Sequence, residues 1–576
     1  MLRCSLMKSI KHYVDGGEAL LAACRAAGIE YIFSSPGSEW APAWEAIALQ
    51  KHERRPGPTY LDLWHETVAV GMATGYTQVT GRPQAVLLHA GPGLLQGSCA
   101  IHGALLSGVP MLVLSSESVT YGERPGADPG SQWYRNLSVV GGPHGWVQGY
   151  VKWASQVGGI EVLYEMLLRA TELAQRAPAG PCYLNVPVEV LLAPWTAPRF
   201  PHPIAPAGRK IAAPEEIEAL ASRIAAARNP VVLTETAGRD PRAFAALVAL
   251  CELAALPVIE PQAAVCSNFP RTHALHQGAS AEAFMDSADL VLLVNCRAPW
   301  YPPSNRPPHA ATVVIDEVPQ RPHIVYQVLH ADAYLEGEVG ETLRQVTAVL
   351  RERGFDESVV AERRARHGKS HAALTARTAE AEARSGATSG PIDPVLLVKA
   401  LRETAGKDAV FVDETITHSR LLQQHLQLDE ARRYYYVQGG LGQGIAVALG
   451  VKLATPDRPV ILAIGDGSYL YNPVIPSLAA ARDYGLPLLI VIFNNRQYLS
   501  MKFNHLRAYP DGAAVATDYF PGVSLATQPD LAEFAKPFGM YGATVTDAAT
   551  LPQTLAEALD AVRAGRTAIV NVMLTK

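Results

Sequence analysis

Two stretches towards the C-terminus of the chain decide the fold. They read Pro459-Val-Ile-Leu-Ala-Ile-Gly-Asp-Gly-Ser468 and Pro487-Leu-Leu-Ile-Val-Ile-Phe-Asn-Asn495. In each stretch an unbroken apolar run ends in small or polar residues, which is typical of a parallel strand buried on both faces. The 26 residues between Gly467 and Asn494 suffice for one helical crossover. The pattern predicts a βαβ unit with its polar residues at the carboxyl edge of a sheet.

The same alternation of short apolar runs and helix-sized spacers extends along the whole chain. Further runs are Gln84–Leu88, Pro110–Leu114, Pro230–Leu233 and Leu290–Val294. Two breaks interrupt the pattern: residues 194–206, which hold five prolines, and residues 385–391, which are rich in Gly and Ser. We therefore expect an α/β protein of three consecutive doubly wound parallel-sheet domains, at residues 1–193, 208–350 and 388–576.

Composition excludes several classes of protein. The 576 residues include 49 Lys+Arg and 54 Asp+Glu, with a formal charge of −5, and 48% of them are hydrophobic. This composition excludes wholesale disorder, and the lack of a Lys/Arg-rich run argues against a nucleic-acid partner. The 7 cysteines are scattered without a C-x-x-C pair, which fits neither a disulfide framework nor a zinc site. A small-molecule partner is the better expectation.

The sequence also predicts a cytoplasmic protein without a membrane segment. Residues 83–116 carry no Asp, Glu, Lys or Arg, but Gly91-Pro92-Gly93 and further glycines interrupt this stretch, and we interpret it as buried α/β core. Residues 1–30 lack the basic start, apolar run and cleavage site of a signal peptide.

The residues that follow the two deciding strands suit a metal bound to a diphosphate. Asp466 offers an anionic oxygen and Asn495 an amide oxygen, which are ligands that Mg²⁺ accepts beside phosphate oxygens. The glycines let the backbone approach a diphosphate, and Ser468 opens a helix whose first amides favour anions. A lone G-D-G or N-N is also a common turn, and only their joint placement after two buried strands favours the functional interpretation.

The G-D-G and N-N pair, with its spacing, resembles the cofactor motif of thiamine diphosphate (ThDP) enzymes of the decarboxylase/acetolactate synthase superfamily. The resemblance implies three domains: pyrimidine-binding, middle and diphosphate-binding. It implies that Asp466, Asn495 and the carbonyl of Gln497 bind Mg²⁺ or Ca²⁺. It also implies that Gly467, Ser468 and the adjacent Tyr498 belong to the cofactor site.

Two further motifs of the third segment are similar to motifs of this family. The run Gly439-Gly-Leu-Gly-Gln-Gly-Ile-Ala-Val-Ala-Leu-Gly450 resembles the loop in which a bulky residue, here Leu441, holds the cofactor in a V shape. Val412-Asp-Glu-Thr-Ile-Thr417 resembles the loop that closes over the diphosphate. Thr415 and Thr417 are then candidate hydroxyl donors, or turn residues only.

In the first segment, residues 65–83 read His-Glu-Thr-Val-Ala-Val-Gly-Met-Ala-Thr-Gly-Tyr-Thr-Gln-Val-Thr-Gly-Arg-Pro, similar to the family pattern H-E-x-x-A-x-x-x-A-x-G-Y-x-x-x-x-G-x-P. The family's glutamate, here Glu66, holds N1′ of the aminopyrimidine and so activates the cofactor. The alternative is an acid favoured by a helix N-terminus. In the superfamily this glutamate and the diphosphate site come from neighbouring subunits, which implies a homodimer, usually paired into a homotetramer.

Two loops of the first segment resemble benzoylformate decarboxylase. Ser35-Pro-Gly-Ser-Glu39 suggests Ser38 as the residue that binds a substrate carboxylate, and Leu88-His-Ala-Gly-Pro-Gly93 suggests His89 as the residue that handles protons. The alternatives are a helix cap and a buried structural histidine. Gly91-Pro92-Gly93 is closer to acetolactate synthases and aldehyde lyases. The family's second pocket histidine has no secure counterpart, since the Pro-rich stretch from Cys296 to His309 offers only His309.

The resemblance implies non-oxidative decarboxylation of a 2-oxo acid, with possible transfer of the product carbon to a second carbonyl. The alternatives are an acetolactate synthase-like carboligase and a C–C lyase that acts on a hydroxyketone. A non-catalytic homologue would be expected to lack Glu66, Asp466 or Asn495, and all three are present. No fingerprint for FAD occurs in the middle segment.

Overall fold

The computed structural model describes residues 10–119, 137–199, 204–205, 207–261, 264–321, 324, 330–386 and 390–575. They form two compact units, Met1–Ala207 (the N-terminal unit) and Gly208–Lys576 (the C-terminal unit). Within the described residues, no helix is both long enough and apolar enough to cross a membrane. The cytoplasmic location stays a prediction.

The N-terminal unit is built on one parallel sheet with the strand order β2-β1-β3-β4-β6-β5. Its strands are β1 (Tyr31–Ser35), β2 (Thr59–Asp62), β3 (Gln84–Leu88), β4 (Met111–Ser115), β5 (Trp153–Gln156) and β6 (Pro181–Asn185). Its helices are α1 (Gly16–Ala26), α2 (Ala41–His52), α3 (Glu66–Thr80), α4 (Gly91–Leu106), α5 (Pro143–Val147), α6 (Ile160–Gln175) and α7 (Val188–Leu192), with a 3₁₀ helix at Ser38–Trp40.

The C-terminal unit contains two parallel sheets, of which the first has the order β11-β10-β9-β7-β8. Its strands are β7 (Pro230–Thr234), β8 (Val258–Ile259), β9 (Leu290–Val294), β10 (Ala311–Asp316) and β11 (Ala333–Glu336). The helices of this part are α8 (Pro214–Ala226), α9 (Pro241–Ala254), α10 (Glu282–Met285), α11 (Val339–Arg353) and α12 (Glu357–Arg384), with 3₁₀ helices at Ala237–Arg239 and Pro303–Asn305.

The second sheet of this unit has the order β13-β12-β14-β15-β17-β16. Its strands are β12 (Val410–Glu414), β13 (Tyr434–Tyr436), β14 (Val460–Gly465), β15 (Leu489–Asn494), β16 (Tyr541–Val545) and β17 (Ala568–Met573). The helices are α13 (Pro394–Ala405), α14 (Ser419–His425), α15 (Gly444–Ala454), α16 (Asp466–Tyr471), α17 (Val474–Asp483), α18 (Leu499–Ala508), α19 (Ala513–Thr517) and α20 (Leu551–Arg563), with 3₁₀ helices at Leu531–Phe538 and Ala548–Thr550.

The central strands of the sheets are mostly apolar because both of their faces are covered. In the first sheet of the C-terminal unit, Val232 and Leu292 belong to one hydrophobic cluster. Their chain neighbours Val231 and Leu293 point to the opposite face and belong to another. A sheet covered on both faces requires continuous apolar runs, which is the pattern that the sequence shows.

In the second sheet of the C-terminal unit, the strand register brings the loops that carry the candidate site residues to one edge. Glu414 of β12 is paired with Ile464 of β14, and Gly465 of β14 is paired with Phe493 of β15. All three strands are parallel, so the residues that follow them leave the sheet at the same level.

The three parallel sheets confirm the predicted fold class. The crossover between β14 and β15 contains two helices, α16 and α17, where the sequence suggested one. Asn472 and Pro473 separate them, because a proline disfavours helical geometry in the residue before it. The predicted domain boundaries stay a prediction, and part of each predicted break, including 200–203 and 387–389, lies outside the described residues.

Candidate active site

Glu66 is the first residue of α3, and the close packing of α4 defines its surroundings. Nδ1 of His65 accepts a hydrogen bond from the backbone N–H of Thr67 at 3.1 Å and so caps the helix. A methyl group added at Gly93 would lie 2.9 Å from Oε1 of Glu66, and one added at Gly97 would lie 3.6 Å from its Cβ. The half-buried carboxyl group of Glu66 therefore fits against α4 only because Gly93 has no side chain.

His89 follows β3 and is paired with a glutamate that the sequence analysis missed. Its Nδ1 lies 2.8 Å from Oε1 of Glu39, a buried carboxylate that also accepts a hydrogen bond from the Ala90 N–H at 2.9 Å. The hydrogen bond with Glu39 raises the pKa of His89 above its usual value, against the opposing effect of burial, and the charges of Glu39 and Glu66 raise it further. The available signal was the acid directly after Ser38.

Ser38 begins the 3₁₀ helix that carries Glu39, and its side chain is exposed. This helix is fixed to the neighbouring strand, because the indole N–H of Trp40 donates to the carbonyl of Leu88 at 2.8 Å. The backbone N–H of His89 donates to the carbonyl of Ser35 at 2.9 Å. The loops after β1 and β3 are therefore joined, and the structure brings Ser38, Glu66 and His89 to the carboxyl edge of the N-terminal sheet.

In the C-terminal unit, Asp466 begins α16 and lies buried. Burial raises its pKa to about 6, although hydrogen bonds from Gln528 and from backbone amides oppose the rise. Nε2 of Gln528 donates to Oδ2 of Asp466 at 3.2 Å and to Oδ1 of Asn494 at 2.7 Å. Gln528, which the sequence analysis also missed, thereby links the ends of β14 and β15.

The two asparagines at the end of β15, Asn494 and Asn495, have different partners. Nδ2 of Asn494 donates to Oδ1 of Asn571 at 2.9 Å, which ties β15 to β17. Oδ1 of Asn495 accepts from the backbone N–H of Gln497 at 3.0 Å, in a tight turn whose central residue, Arg496, has a φ of 55°. Asn494 is therefore structural, and Asn495 is the asparagine of the polar loop.

The residues next to Asn495 complete this loop. The carbonyl of Gln497 accepts a hydrogen bond from the Leu499 N–H at 3.0 Å, which leaves one of its two lone pairs for a ligand. A methyl group added at Gly467 would lie 2.4 Å from Cε1 of Tyr498, so this ring packs directly on the G-D-G turn. Ser468 is buried within α16.

A second buried glutamate, Glu414, holds the glycine-rich loop before α15. Its Oε1 accepts from the backbone N–H groups of Gly442 and Gln443, each at 2.9 Å, and its Oε2 accepts from Nδ2 of Asn472 at 2.8 Å. Burial raises the pKa of Glu414 to about 7. In the sequence Glu414 stands inside the loop motif Val412–Thr417, but the motif did not predict a role for it.

The glycine-rich loop itself needs glycines because of its backbone. Gly439, Gly440 and Gly442 have φ values of 92°, 114° and 101°, a region that residues with side chains rarely adopt. A methyl group at Gly442 would also lie 2.7 Å from the carbonyl oxygen of Tyr471. Leu441 is half-buried in this loop.

The loop after β12 is held by its own hydrogen bonds. The hydroxyl of Thr415 donates to Oδ1 of Asp413 at 2.8 Å, and the Thr417 N–H donates to the Thr415 carbonyl at 2.7 Å. Ile416 between them has a φ of 58°, which is unusual for a β-branched residue and is typical of functional loops. Hydroxyl donation from Thr415 and Thr417 to a diphosphate stays a prediction.

The carboxyl edge of the second sheet in the C-terminal unit offers oxygen ligands for a cation and glycines that let a ligand come close to the backbone. Both features fit a diphosphate bound through a hard cation. One carboxylate (Asp466), one amide (Asn495) and one carbonyl (Gln497) form the predicted ligand set, and each provides oxygen. Across the part of the chain that the structure describes, no three His, Cys, Asp or Glu residues form a metal cluster. A zinc-type site therefore has no counterpart there, and the mixed oxygen set suits Mg²⁺ or Ca²⁺.

Three family models match the chain over most of its length. They describe the N-terminal TPP binding domain, the central domain and the C-terminal TPP binding domain of thiamine pyrophosphate enzymes, at residues 14–139, 217–346 and 415–572. The chain belongs to the thiamine pyrophosphate enzyme family. Its cofactor is therefore thiamine diphosphate, as the motifs predicted.

Curated relatives within this family differ in the reaction they catalyse. The chain is 27% identical to benzoylformate decarboxylase of Pseudomonas aeruginosa over 83% of this chain and 85% of the relative. It is 25% identical to the large subunit of acetolactate synthase isozyme 3 of Escherichia coli over 97% and 94% of the two chains. The crystal structure of benzoylformate decarboxylase from Polynucleobacter necessarius has the same fold, with a TM-score of 0.78 and 20% identity over 97% of this chain and 98% of that one.

Proposed function

We propose that this ThDP enzyme decarboxylates a 2-oxo acid without oxidation. The observation that carries the proposal is the contact of His89 with the buried Glu39, beside the small residues that accommodate Glu66. A methyl group at Gly93 would approach both Cβ of His89, at 2.8 Å, and Oε1 of Glu66, at 2.9 Å. An imidazole with a raised pKa next to the activating carboxylate provides the proton that a decarboxylase must deliver to its product.

Glu66 and the polar loops of the C-terminal unit have separate tasks. When bound, thiamine diphosphate supplies the carbon nucleophile and the electron sink for cleavage beside the 2-oxo carbonyl. Glu66 would hold a proton at N1′ of the aminopyrimidine. Asp466, Asn495 and the Gln497 carbonyl would hold Mg²⁺ or Ca²⁺, while Gly467 and Ser468 would face the diphosphate. Leu441 would support the cofactor rings.

The N-terminal loops would then handle the substrate. The exposed hydroxyl of Ser38 would bind the substrate carboxylate, and His89 would donate the proton from Nε2, since Nδ1 is engaged with Glu39. Glu39 fixes the orientation of the imidazole ring and stabilises its protonated form. In many active sites a further side chain orients the catalytic base in the same way.

We propose that the smallest active unit is a homodimer in which Glu66 of one chain serves the diphosphate site of the other, with a homotetramer as the larger assembly. Large apolar side chains on the helices that follow β14 and β15 support this proposal, because they are exposed in the single chain. They are Leu470, Tyr471, Ile475, Met501 and Phe503. Trp64, two residues before Glu66, is likewise exposed.

Carboligation is the second candidate reaction. The similarity to acetolactate synthase over nearly the whole chain, together with Gly91-Pro92-Gly93, favours an enzyme in which a second carbonyl captures the product carbon. A lyase that acts on a hydroxyketone uses the same groups in the reverse direction.

A substrate screen tests these proposals. The enzyme with ThDP and Mg²⁺ would be incubated with pyruvate, benzoylformate and longer 2-oxo acids, and CO₂, aldehyde and hydroxyketone would be measured. We expect CO₂ with aldehyde from at least one acid. CO₂ with hydroxyketone would favour carboligation, and cleavage of an acyloin without CO₂ from any acid would favour the lyase.

The variants Glu66→Ala and His89→Ala accompany the screen. We expect Glu66→Ala to lose nearly all turnover while ThDP still binds through the metal. His89→Ala should lose about 10²–10⁴-fold, the usual contribution of a positioned proton donor. Near wild-type turnover of His89→Ala on every active substrate would contradict its role.

A further inference from the structure

A cavity of about 510 Å³ lies in the C-terminal unit, apart from the residues of the candidate active site. It is bordered by residues that follow β8 and by the helices α12 and α14. None of the predicted catalytic, cofactor-binding or metal-binding residues lines it. Its volume falls in the range of small-molecule sites.

A buried arginine at this cavity has an unused donor. Nε of Arg271 bonds to Oε2 of Glu260 at 3.1 Å, and Nε2 of His276 lies 3.2 Å from the same oxygen. One terminal nitrogen of Arg271 donates to the carbonyl of Gln423. The other is buried, and none of the described residues bonds to it. Arg271 is only 7% exposed, so this orphaned donor is costly unless a ligand or water meets it.

A buried amide at the same cavity has an unused acceptor. Nε2 of Gln277 donates to the carbonyls of Ala274 and His367, at 3.3 and 3.2 Å, which assigns the nitrogen and oxygen of this side chain. Its Oε1 is buried and has no partner in the described part of the chain, although the residue is only 8% exposed. The cavity is therefore bordered by two buried side chains, each of which has one polar atom without a partner in the described part of the chain.

The other residues that line the cavity give it an excess of positive charge and an apolar surface. Arg377 on α12 and Arg420 on α14 are exposed at the cavity, and Glu282 is the acidic lining residue besides Glu260. The three lining arginines thus outnumber the two glutamates. Phe284 and Leu374 supply apolar surface. A ligand of opposite charge with a short hydrocarbon skeleton matches this lining.

We propose that this cavity binds a small organic acid that also carries a hydroxyl or ammonium group. Its carboxylate would accept from the unused nitrogen of Arg271 and from the outer arginines. Its hydroxyl or ammonium group would donate to Oε1 of Gln277. The helix α14, which borders the cavity, begins two residues after Thr417. Such a ligand would therefore lie next to the helix that follows the predicted diphosphate loop.

Calorimetric titration of the ThDP- and Mg²⁺-loaded enzyme tests the proposal at constant ionic strength. The probes are L-malate, with a hydroxyl group, L-glutamate, with an ammonium group, and succinate, a dicarboxylate without either. We expect saturable binding of malate or glutamate with a Kd below about 1 mM, and about tenfold weaker binding of succinate. Absence of binding by all three, or equal binding of succinate, would overturn the proposal.

Three variants locate the binding site. Gln277→Leu removes the acceptor and should abolish the preference over succinate, while Arg377→Gln should weaken every probe by about threefold to tenfold. Lys369→Gln is the matched control, since Lys369 is an exposed cation on α12 that does not line the cavity. Arg377 is exposed, so its variant stays informative if Gln277→Leu does not fold. Binding that is unchanged in Arg377→Gln, or equally reduced in Lys369→Gln, would overturn the assignment.

Discussion

The proton on His89 is stabilised by a carboxylate that is itself almost inaccessible to solvent. Oε1 of Glu39 accepts both from the Ala90 N–H and, when the ring carries a proton on Nδ1, from His89. Gly37 makes this contact possible, because a methyl group there would lie 1.8 Å from Nδ1 of His89. Gly37 and Glu39, in the loop after β1, thus influence the charge of His89, in the loop after β3.

Replacement of Glu39 by Gln should lower the pKa of His89, since an amide leaves the imidazolium without its negative partner. If the protonated ring is the active form, activity is lost as pH rises through the pKa of His89. The basic limb of the kcat/KM profile should therefore move to lower pH in this variant.

Glu45→Gln is the control for this measurement, because Glu45 is an exposed acid on the neighbouring helix α2. Its pH profile should match that of the wild type. A basic limb that stays in place in Glu39→Gln would show that Glu39 does not govern the proton of His89.

Single acids such as Glu39 and Glu414 could not be predicted from the sequence for a physical reason. Their partners lie 50 and 28 residues away along the chain, and an isolated acid has no periodicity. Glu66, Asp466 and Asn495 could be proposed because each belongs to a motif of fixed spacing. The asymmetry between Asn494 and Asn495 depends on Asn571 and Gln528 and becomes visible only in the structure.

At the scale of elements, the packing of α3 on α4 controls the position of Glu66. The closest approach to Glu66 is made by the glycines of α4. Periodicity predicted the strands well, since Gln84–Leu88 and Leu290–Val294 agree with β3 and β9. It did not predict that β12 continues to Glu414, because polar residues end the apolar run before the strand ends.

Gly93→Ala tests the importance of the α3–α4 contact. The added methyl group would lie 2.8 Å from Cβ of His89 and 2.9 Å from Oε1 of Glu66, so at least one of these side chains must move. Displacement of a catalytic group by about 1 Å costs on the order of 10²-fold in turnover. We expect a loss of kcat of that size with the fold retained, as judged by circular dichroism.

Gly158→Ala is the matched control in the same unit, because no atom lies within 4 Å of a methyl group added there. It should keep wild-type turnover. Equal activity of Gly93→Ala and Gly158→Ala would argue against a catalytic site at this contact.

The glycine-rich loop before α15 depends on Glu414 in a similar way. Both carboxylate oxygens of Glu414 accept hydrogen bonds, one of them from Nδ2 of Asn472. Oδ1 of Asn472 already accepts from the Ile445 N–H, so the Asn472 amide cannot flip to accept a hydrogen bond from a glutamine at position 414. In Glu414→Gln the side-chain NH₂ group would then face one of the N–H groups that donate to the carboxylate of Glu414. We expect a loss of about 1–3 kcal/mol in the free energy of unfolding and weaker ThDP binding, measured by denaturation and by fluorescence titration.

Unchanged ThDP affinity in Glu414→Gln, with reduced stability, would mean that the loop does not contact the cofactor. Glu403→Gln provides the comparison, because Glu403 is an exposed acid on α13 of the same unit. Neither stability nor ThDP affinity should change appreciably in that variant.

At the scale of the whole molecule, the two sets of site residues belong to different units of the chain. Ser38, Glu39, Glu66 and His89 belong to the N-terminal unit, and Glu414, Asp466 and Asn495 belong to the C-terminal unit. Hydrogen bonds inside the N-terminal unit join Glu39 to His89, and hydrogen bonds inside the C-terminal unit join Glu414 to Asn472. We expect a complete site to combine the halves of two chains.

Subunit complementation tests whether the site is shared between two chains. Glu66→Gln and Asp466→Asn would be purified separately, to confirm that each is inactive, and then co-expressed with different affinity tags so that mixed dimers are isolated. If the site is shared between chains, each mixed dimer has one site with both native residues and one site with both substitutions. The isolated mixed dimer should then recover about half of wild-type turnover. If both halves come from the same chain, every site carries one defect, and turnover no higher than that of the single variants would contradict the account.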